Sequence, residues 1–546
     1  MKTKLNLLII LSLAVTTLFA QQNVQPTKNI IVMIPDGTSL SVLSASRWLK
    51  TYRGEGEKLN LDPYLCGTVS TFSSNAPIGD SAPTTSCYMT GFTGQAANIS
   101  IYPPADPGND LITLNPENAY QPLATILEAM KMEQGKAAGL VVTCEFPHAT
   151  PADCASHHYN RNNYEALAPQ IAFNNLNVMF GGGNKFVSET MKKHFANTGV
   201  TYLQNDKKGM MNFGGDKVWA LFGDRELPYD LDRDTTQIPS LAQMTSKALE
   251  ILNKNSRGFF LMVEGSKVDW AAHANDPAGI MGEFLAFDKA VGAAIEFAKK
   301  DGNTTIVILP DHGNSGFSIG RNGLKKSYTK LTLEELFGTV SKIQRTAEGL
   351  EKILVQTKPE NFKSVFKQYT GIDLTDEELN LLKTSKNYKA DDYMHAADAK
   401  NLTHNINMLI NSRLPFGFTT GGHTGEEVFL AVYHPQGNVP VGNRRNKEVN
   451  EYLFRAAGLK TPLAELTANI FAKHTDVFAG MKCSIENTQD KSVKLVVKNK
   501  KNTLEIPAFS SVAFLNGKPM DMGSVAVYID KNNTFYVTKK LAEKVR

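Results

Sequence analysis

Carboxylates, imidazoles and hydroxyls recur in this sequence where apolar runs give way to turns. Glu264 ends the run Phe259 to Val263 and is followed by Gly265, where the chain must change direction. Asp269 and His273 come four residues apart, so a helix starting here puts them on one face. Asp36 follows Asn29 to Pro35, and Asp311-His312-Gly313 follows Thr304 to Leu309. His423 lies in Gly421-Gly422-His423-Thr424-Gly425, whose glycines permit close backbone approach to a ligand. Donor sets of this kind suit hard-to-borderline divalent metals. Ser81, in Asp80-Ser81-Ala82, opens a helix-compatible run through Gly91; it is either an N-cap or a nucleophile. A serine nucleophile needs a base or direct metal coordination. No Gly-x-Ser-x-Gly elbow surrounds Ser81, so metal activation is favoured over a triad. Thr150, in His148-Ala149-Thr150-Pro151, is open to a capping role, and Arg161 to a plain surface charge or a fork for phosphate. Gly181-Gly182-Gly183 lacks Walker and Rossmann spacing and reads as a turn.

The elements that must position these residues alternate. Apolar runs at 29–35, 137–143, 176–180, 259–263 and 304–309 read as strands buried on both faces. Between them lie helix-period segments at 240–252 and 284–297, the latter with Phe284, Phe287, Val291, Ala294 and Ile295 on one stripe. The expected fold class is α/β, a mostly parallel sheet with helices on both faces. In such sheets ligands sit beyond the carboxyl ends of the strands, where Asp36, Glu264, Asp311 and His312 fall.

The α/β part is expected over 21–324 and 414–478, interrupted at 325–413 by a polar, helix-rich insertion. Within it, Thr375 to Glu378 is a capping box ahead of Leu379, Leu381 and Leu382. A further strand is read at Val428 to Tyr433. Residues 479–546 read as a small β-rich module, its last two strands pairing across Asp530 to Asn533.

Residues 1–20 read as a secretory signal, with Lys2 and Lys4 ahead of an apolar run and Ala20 before Gln21. Its removal lowers the formal charge from +4 to about +2, which gives no reason to invoke nucleic acid. No later segment is apolar enough to span a bilayer, so the chain is expected in the periplasm or outside the cell. Five cysteines allow at most two bridges, and Cys144 with Cys154 is a guessed pair. None shows CxxC spacing, which argues against thiolate ligation of a metal.

Taken together, these motifs resemble the alkaline phosphatase family. The match runs in order through Pro35-Asp36-Gly37, Asp80-Ser81-Ala82, His148 to Pro151 with Arg161, Phe180 to Gly183, Pro239-Ser240-Leu241 with Met244-Thr245, Val263-Glu264-Gly265 through Asp269 and His273, Asp311-His312, and Gly422 to Gly425. It covers roughly 28–320 and 412–475. The resemblance implies that Asp269, His273 and His423 hold one zinc. It implies that Asp36, Asp311 and His312 hold a second, which also binds Ser81. A third, magnesium-type site would be shared by Asp36, Thr150 and Glu264, with Arg161 on the phosphoryl oxygens. Two such zinc ions, about 4 Å apart, clamp the attacking and leaving oxygens of an in-line displacement. The implied activity is hydrolysis of phosphate monoesters through a phosphoserine, and a homodimer is left open.

Three departures bear on this. Pro35 precedes Asp36 where Gly is commoner; His148 stands where some bacterial members have an acidic residue; Trp270 replaces a Lys or His of many members. The last two make His148 and Trp270 neighbours that bear on the third metal. A formylglycine sulfatase needs Arg where Thr85 stands, and related diesterases often use threonine and lack the arginine matched by Arg161. A non-catalytic envelope protein would not need the full ligand set.

Overall fold

The computed structural model describes residues 24–385, 401–488 and 492–545. The signal segment 1–20 lies outside the described residues, as does part of the insertion.

The centre is a sheet of ten strands: β1 (Asn29–Pro35), β2 (Leu65–Ser70), β3 (Ala137–Glu145), β4 (Val178–Gly182), β5 (Thr201–Gln204), β6 (Val218–Leu221), β7 (Phe259–Gly265), β8 (Thr304–Ile308), β9 (Val428–Tyr433) and β10 (Gly442–Arg445). Their order is β10-β2-β9-β8-β1-β7-β3-β4-β6-β5. All pairs are parallel except those of β9, which runs antiparallel to both β2 and β8. The apolar runs anticipated as strands are the inner ones, and β1, β3, β4, β7 and β8 are buried along their whole length. Strands β2, β5, β6 and β10 were not anticipated. Three are partly exposed and therefore less apolar; β6 is buried but only four residues long.

Gly181 and Gly182 belong to β4, so the turn expected there is confined to Gly183, at φ +109°. A Cβ on Gly182 would stand 2.0 Å from the Arg225 carbonyl oxygen, so the bare backbone here serves close packing.

The helix Pro277–Asp301 lies on the sheet with Phe284, Phe287, Val291, Ala294 and Ile295 buried. Asp276 caps it by accepting from Gly279 N at 2.9 Å, proline occupies the first turn, and Gly302 ends it in the left-handed region. The polar stretch after 325 forms helices Leu333–Ser341, Ala347–Val355, Phe362–Thr370, Asp376–Thr384 and Leu402–Ser412, and the Thr375/Glu378 capping box is present. Phe337, Leu350, Phe366 and Ile406 join the same apolar core as the sheet. The base of this segment is pinned by two short antiparallel ladders, Gly313–Asn314 with His423–Thr424 and Ser318–Ile319 with Phe416–Gly417.

Toward the C-terminus, Lys482–Asn487, Val493–Lys498, Thr503–Pro507, Val512–Leu515 and Lys518–Asp521 form an antiparallel five-stranded sheet. Ala472–Lys473, Thr534–Val537 and Val527–Ile529 form a three-stranded one, with the expected pairing of the last two strands. These strands bury a separate apolar cluster around Leu495, Ile506 and Phe535.

Candidate metal centre

Strand register brings the first ligands together. β1 and β7 end in step, Ile34 opposite Glu264 and Pro35 opposite Gly265, and Leu309 N donates to Met33 O at 3.1 Å. Asp36, Glu264 and Asp311 therefore leave neighbouring strands at one edge, all fully buried. Gly37, at φ +59°, donates its N–H to Asp311 Oδ1 at 3.0 Å; a Cβ there would meet Asp269 Oδ1 at 2.2 Å. Only glycine lets the chain turn so closely over the Asp269 carboxylate.

The helix Lys267–His273 follows β7 and puts Asp269 and His273 on one face, with His273 Nε2 3.4 Å from Asp269 Oδ2. His423 reaches the same point through the ladder at the base of the helical segment, its Nε2 3.6 Å from Asp269 Oδ1 and 3.1 Å from His273 Nε2. Asn314, on the other strand of that ladder, donates to Asp269 Oδ1 at 2.6 Å. His312 Nε2 lies 3.4 Å from Asp36 Oδ1 and 3.5 Å from Asp311 Oδ2. Asp269, His273 and His423 thus form one compact donor set, and Asp36, Asp311 and His312 another.

The histidines share a further feature. The Nδ1 atoms of His273, His312 and His423 face backbone carbonyls of Gly421, Gly313 and Gly79 at 2.7, 3.1 and 3.0 Å. Donation from Nδ1 leaves Nε2 as a bare lone pair, the tautomer a metal-ligating histidine needs.

Ser81 begins the helix Ser81–Thr90. The cap is Asp80, whose side chain accepts from Ser81 N at 2.9 Å, so Ser81 is the first helical residue and its hydroxyl is not used for capping. Ser81 Oγ instead lies 3.4 and 3.5 Å from the Asp36 oxygens and 3.3 Å from His312 Nε2. Asp80 also pairs with Arg161 Nη1, while Arg161 Nη2 is 3.3 Å from His148 Nε2. Arg161 is therefore no free surface charge. Asp80 was legible only as the neighbour of Ser81; its three-way contact with Ser81, Arg161 and the histidines depends on the fold.

Thr150 lies one residue into Ala149–Ala155, behind the cap His148, and is fully buried. The His148 ring meets that of Trp270 edge-on at 5.9 Å. Beside Trp270 a cavity of about 1420 Å³ opens between the α/β core and the helix Ala347–Val355, lined also by Tyr164, Tyr229 and Lys352. It flanks the centre rather than containing it.

The guessed Cys144–Cys154 bridge is not formed: all five cysteines are free thiols. Cys144 Sγ points to Glu264 Oε2 at 3.3 Å, whereas Cys154 Sγ points back to Thr150 O at 3.7 Å.

The electrostatics of the centre call for cations. Burial, then the Asp311, Asp269 and Glu264 carboxylates, push Asp36 well above the carboxylate range. Burial raises Glu264 to about 7. Burial also opposes ionisation of Asp269, but His273, His423 and His312 pull it well below the usual range. Burial, with His312 beside it, lowers His423 to about 3, and burial with Arg161 lowers His148 to about 3. Glu264 Oε1 and Asp311 Oδ2 are buried with no hydrogen-bond donor. Two imidazole lone pairs 3.1 Å apart and buried carboxylate oxygens lacking donors are each costly unless cations lie between them. The residues fit divalent metal.

The alkaline phosphatase family model matches residues 27–459, which leaves the five-stranded C-terminal sheet outside it. Among curated proteins, the chain is 34% identical to alkaline phosphatase 3 of Bacillus subtilis over 80% of its own length and 90% of that protein's. It is 30% identical to the repressible alkaline phosphatase of Saccharomyces cerevisiae over 86% and 88%. Among solved structures, a cold-active alkaline phosphatase from the psychrophile Shewanella sp. superposes with a TM-score of 0.67 at 27% identity, covering 79% of this chain and 99% of that one.

Proposed function

The chain belongs to the alkaline phosphatase family of phosphoric monoester hydrolases, and we propose that it cleaves phosphate monoesters through a phosphoserine formed on Ser81. The observation that carries this reading is the placement of Ser81 Oγ against Asp36 and His312, with a second His/His/Asp set alongside. Asp269, His273 and His423 would hold one zinc, and Asp36, Asp311 and His312 a second beside Ser81. Asp36, Thr150 and Glu264 would share a third ion. When bound, these cations supply Lewis-acid stabilisation of the entering and leaving oxygens.

The side chains divide the remaining work. Ser81 Oγ, its hydroxyl proton released to water, attacks phosphorus in line with the departing alkoxide; the P–O bond to the alcohol breaks as the bond to Ser81 forms, and the alkoxide takes a proton from water to leave as the alcohol. Water then attacks the phosphoserine, releasing inorganic phosphate and restoring the hydroxyl, so two inversions give net retention. Arg161 forks onto the equatorial oxygens, where charge is spread in the transition state, and Asp80 holds the guanidinium in place. Ser81 stands at the N-terminus of its helix, whose backbone N–H groups favour the anion.

The test is turnover of a phosphate monoester against a diester and a sulfate ester, before and after chelation, with Ser81→Ala in parallel. Monoester preference, loss on chelation with recovery on adding zinc and magnesium, and a fall of at least about a thousandfold in Ser81→Ala are expected. A diester preference, or full activity of Ser81→Ala, overturns the reading. We extend it to export on the composition of 1–20; a mature protein beginning at Gln21 is the expected result of N-terminal sequencing, and retention of Met1 in an exported sample overturns it.

A further inference from the structure

The reaction does not use Cys144, yet its thiol lies at the heart of the site. It is fully buried near the end of β3. There the ladder to β7 stops at Val141 opposite Val263, and Ser266 Oγ is wedged between the strands, accepting from Thr143 N at 3.2 Å and Cys144 N at 3.0 Å. This wedge holds Cys144 so that its sulfur faces Glu264. Cys144, His148 and Glu264 each bring a donor atom within 4.8 Å of the others, all three residues buried. Glu264 Oε2 takes the thiol hydrogen, while Oε1, equally buried, has no hydrogen-bond partner. A fully buried carboxylate oxygen left without a donor, beside a sulfur and an imidazole, is a place for a cation rather than for a structural thiol.

We propose that Cys144 is a ligand of the third cation and makes that site selective for zinc over magnesium, an inference that rests on the metal-dependent reading above. Oxygen donors alone, from Asp36, Thr150 and Glu264, favour magnesium; a thiolate with an imidazole nearby moves the preference to a softer ion. On binding, the S–H bond breaks, its proton passes to buffer, and the sulfur lone pair goes to the metal. The absence of CxxC spacing does not count against this, because the partners of Cys144 come from a different strand and loop.

Cobalt provides the readout. Full-length protein stripped by chelation and titrated with cobalt(II) is expected to show histidine-type d–d bands first. With the third equivalent it should gain a near-ultraviolet thiolate-to-cobalt charge-transfer band. Cys144→Ser should lose that band alone, keep the first two equivalents, and hold a third zinc at least about tenfold more weakly against excess magnesium. Cys154→Ser, whose sulfur faces a backbone carbonyl, should keep the band. Protein that binds two or three cobalt ions without a charge-transfer band, or a band that survives in Cys144→Ser, overturns this inference and leaves the phosphatase reading intact. Protein that binds no cobalt overturns both.

Discussion

Two groups of buried acids lie within a few turns of chain of each other and are built to opposite ends. At the sheet edge, Asp36, Glu264 and Asp311 face one another, imidazole lone pairs and a serine hydroxyl; Glu264 Oε1 and Asp311 Oδ2 have no donor. At the seam between the α/β core and the helical segment, Asp276 and Glu283 are as deeply buried, with Asp232 partly exposed beside them. There Asp276 and Asp232 have both carboxylate oxygens engaged, and Glu283 has one. Asp276 accepts from Gly279 N and Ala347 N at 2.9 and 2.8 Å. Asp232 accepts from Thr346 N at 3.0 Å and from its hydroxyl, and Glu283 from Asp230 N. Burial lifts both groups: Glu264 to about 7, Asp232 to about 6, Glu283 to about 8. A raised pKa therefore does not separate a metal centre from a structural joint. Between these two regions the donors do: Glu264 Oε1 and Asp311 Oδ2 are buried without one, whereas each seam acid accepts from at least one backbone N–H.

The two regions differ most visibly under single substitutions. Asp311→Asn is expected to lower kcat/KM by about a thousandfold, comparable to or beyond the loss of one electrostatic transition-state contact. The melting temperature of the chelated protein should not fall, because a repelling carboxylate is gone. Asp276→Ala is expected to do the reverse. It removes a helix cap and leaves Ala347 N without its acceptor, costing about 2–3 kcal/mol, while kcat per folded, metal-loaded molecule stays within about threefold. Denaturant unfolding of both variants without metal, beside their turnover with metal, decides the matter. Equal destabilisation by the two would mean that the sheet edge is as much a structural joint as the seam.

Metal removal sharpens the same contrast at smaller scale. Cations that bind only the native centre stabilise it by mass action, so chelation should lower the melting temperature by several degrees in wild type. Asp232→Ala, which unties the seam at Thr346, should lower it by about the same few degrees. The two effects should add, because the groups share no partner. Strong non-additivity in a chelation-by-mutation cycle would mean that the seam transmits strain to the centre.

These two regions were not equally legible in the sequence. Asp36, Glu264 and Asp311 could be placed at one edge because β1, β7 and β8 are apolar on both faces and parallel sheets bind at their carboxyl ends. Asp269 and His273 could be paired by spacing alone. His423 could be linked to them only through the family resemblance, because its approach depends on a two-residue ladder too short to leave a pattern. Asp80 and Cys144 were missed as members of the site for a related reason: a cap carboxylate and a strand thiol look structural until the atoms opposite them are known. The seam left no trace at all. Asp232, Asp276 and Glu283 belong to no motif or ligand spacing, and their partners lie in loops and helix starts that carry no periodic signal.

The finest test of the comparison is a pH profile of the seam. Glu283 has a folded pKa of about 8 against 4.5 for the free side chain, chiefly from burial. Between those values the native state holds a proton that the unfolded chain has released, so stability from this group is full below pH 4.5 and is lost as pH rises through 8. Glu283→Gln keeps an acceptor for Asp230 N and is neutral throughout. Relative to wild type it should therefore gain stability as pH rises. The difference in melting temperature between variant and wild type should grow by a few degrees from pH 5 to pH 8, measured on chelated protein so that metal loading does not contribute. A flat difference would mean that the hydrogen bond from Asp230 already stabilises the ionised carboxylate. Glu283 would then be a satisfied anion of the seam rather than a neutral acid within it.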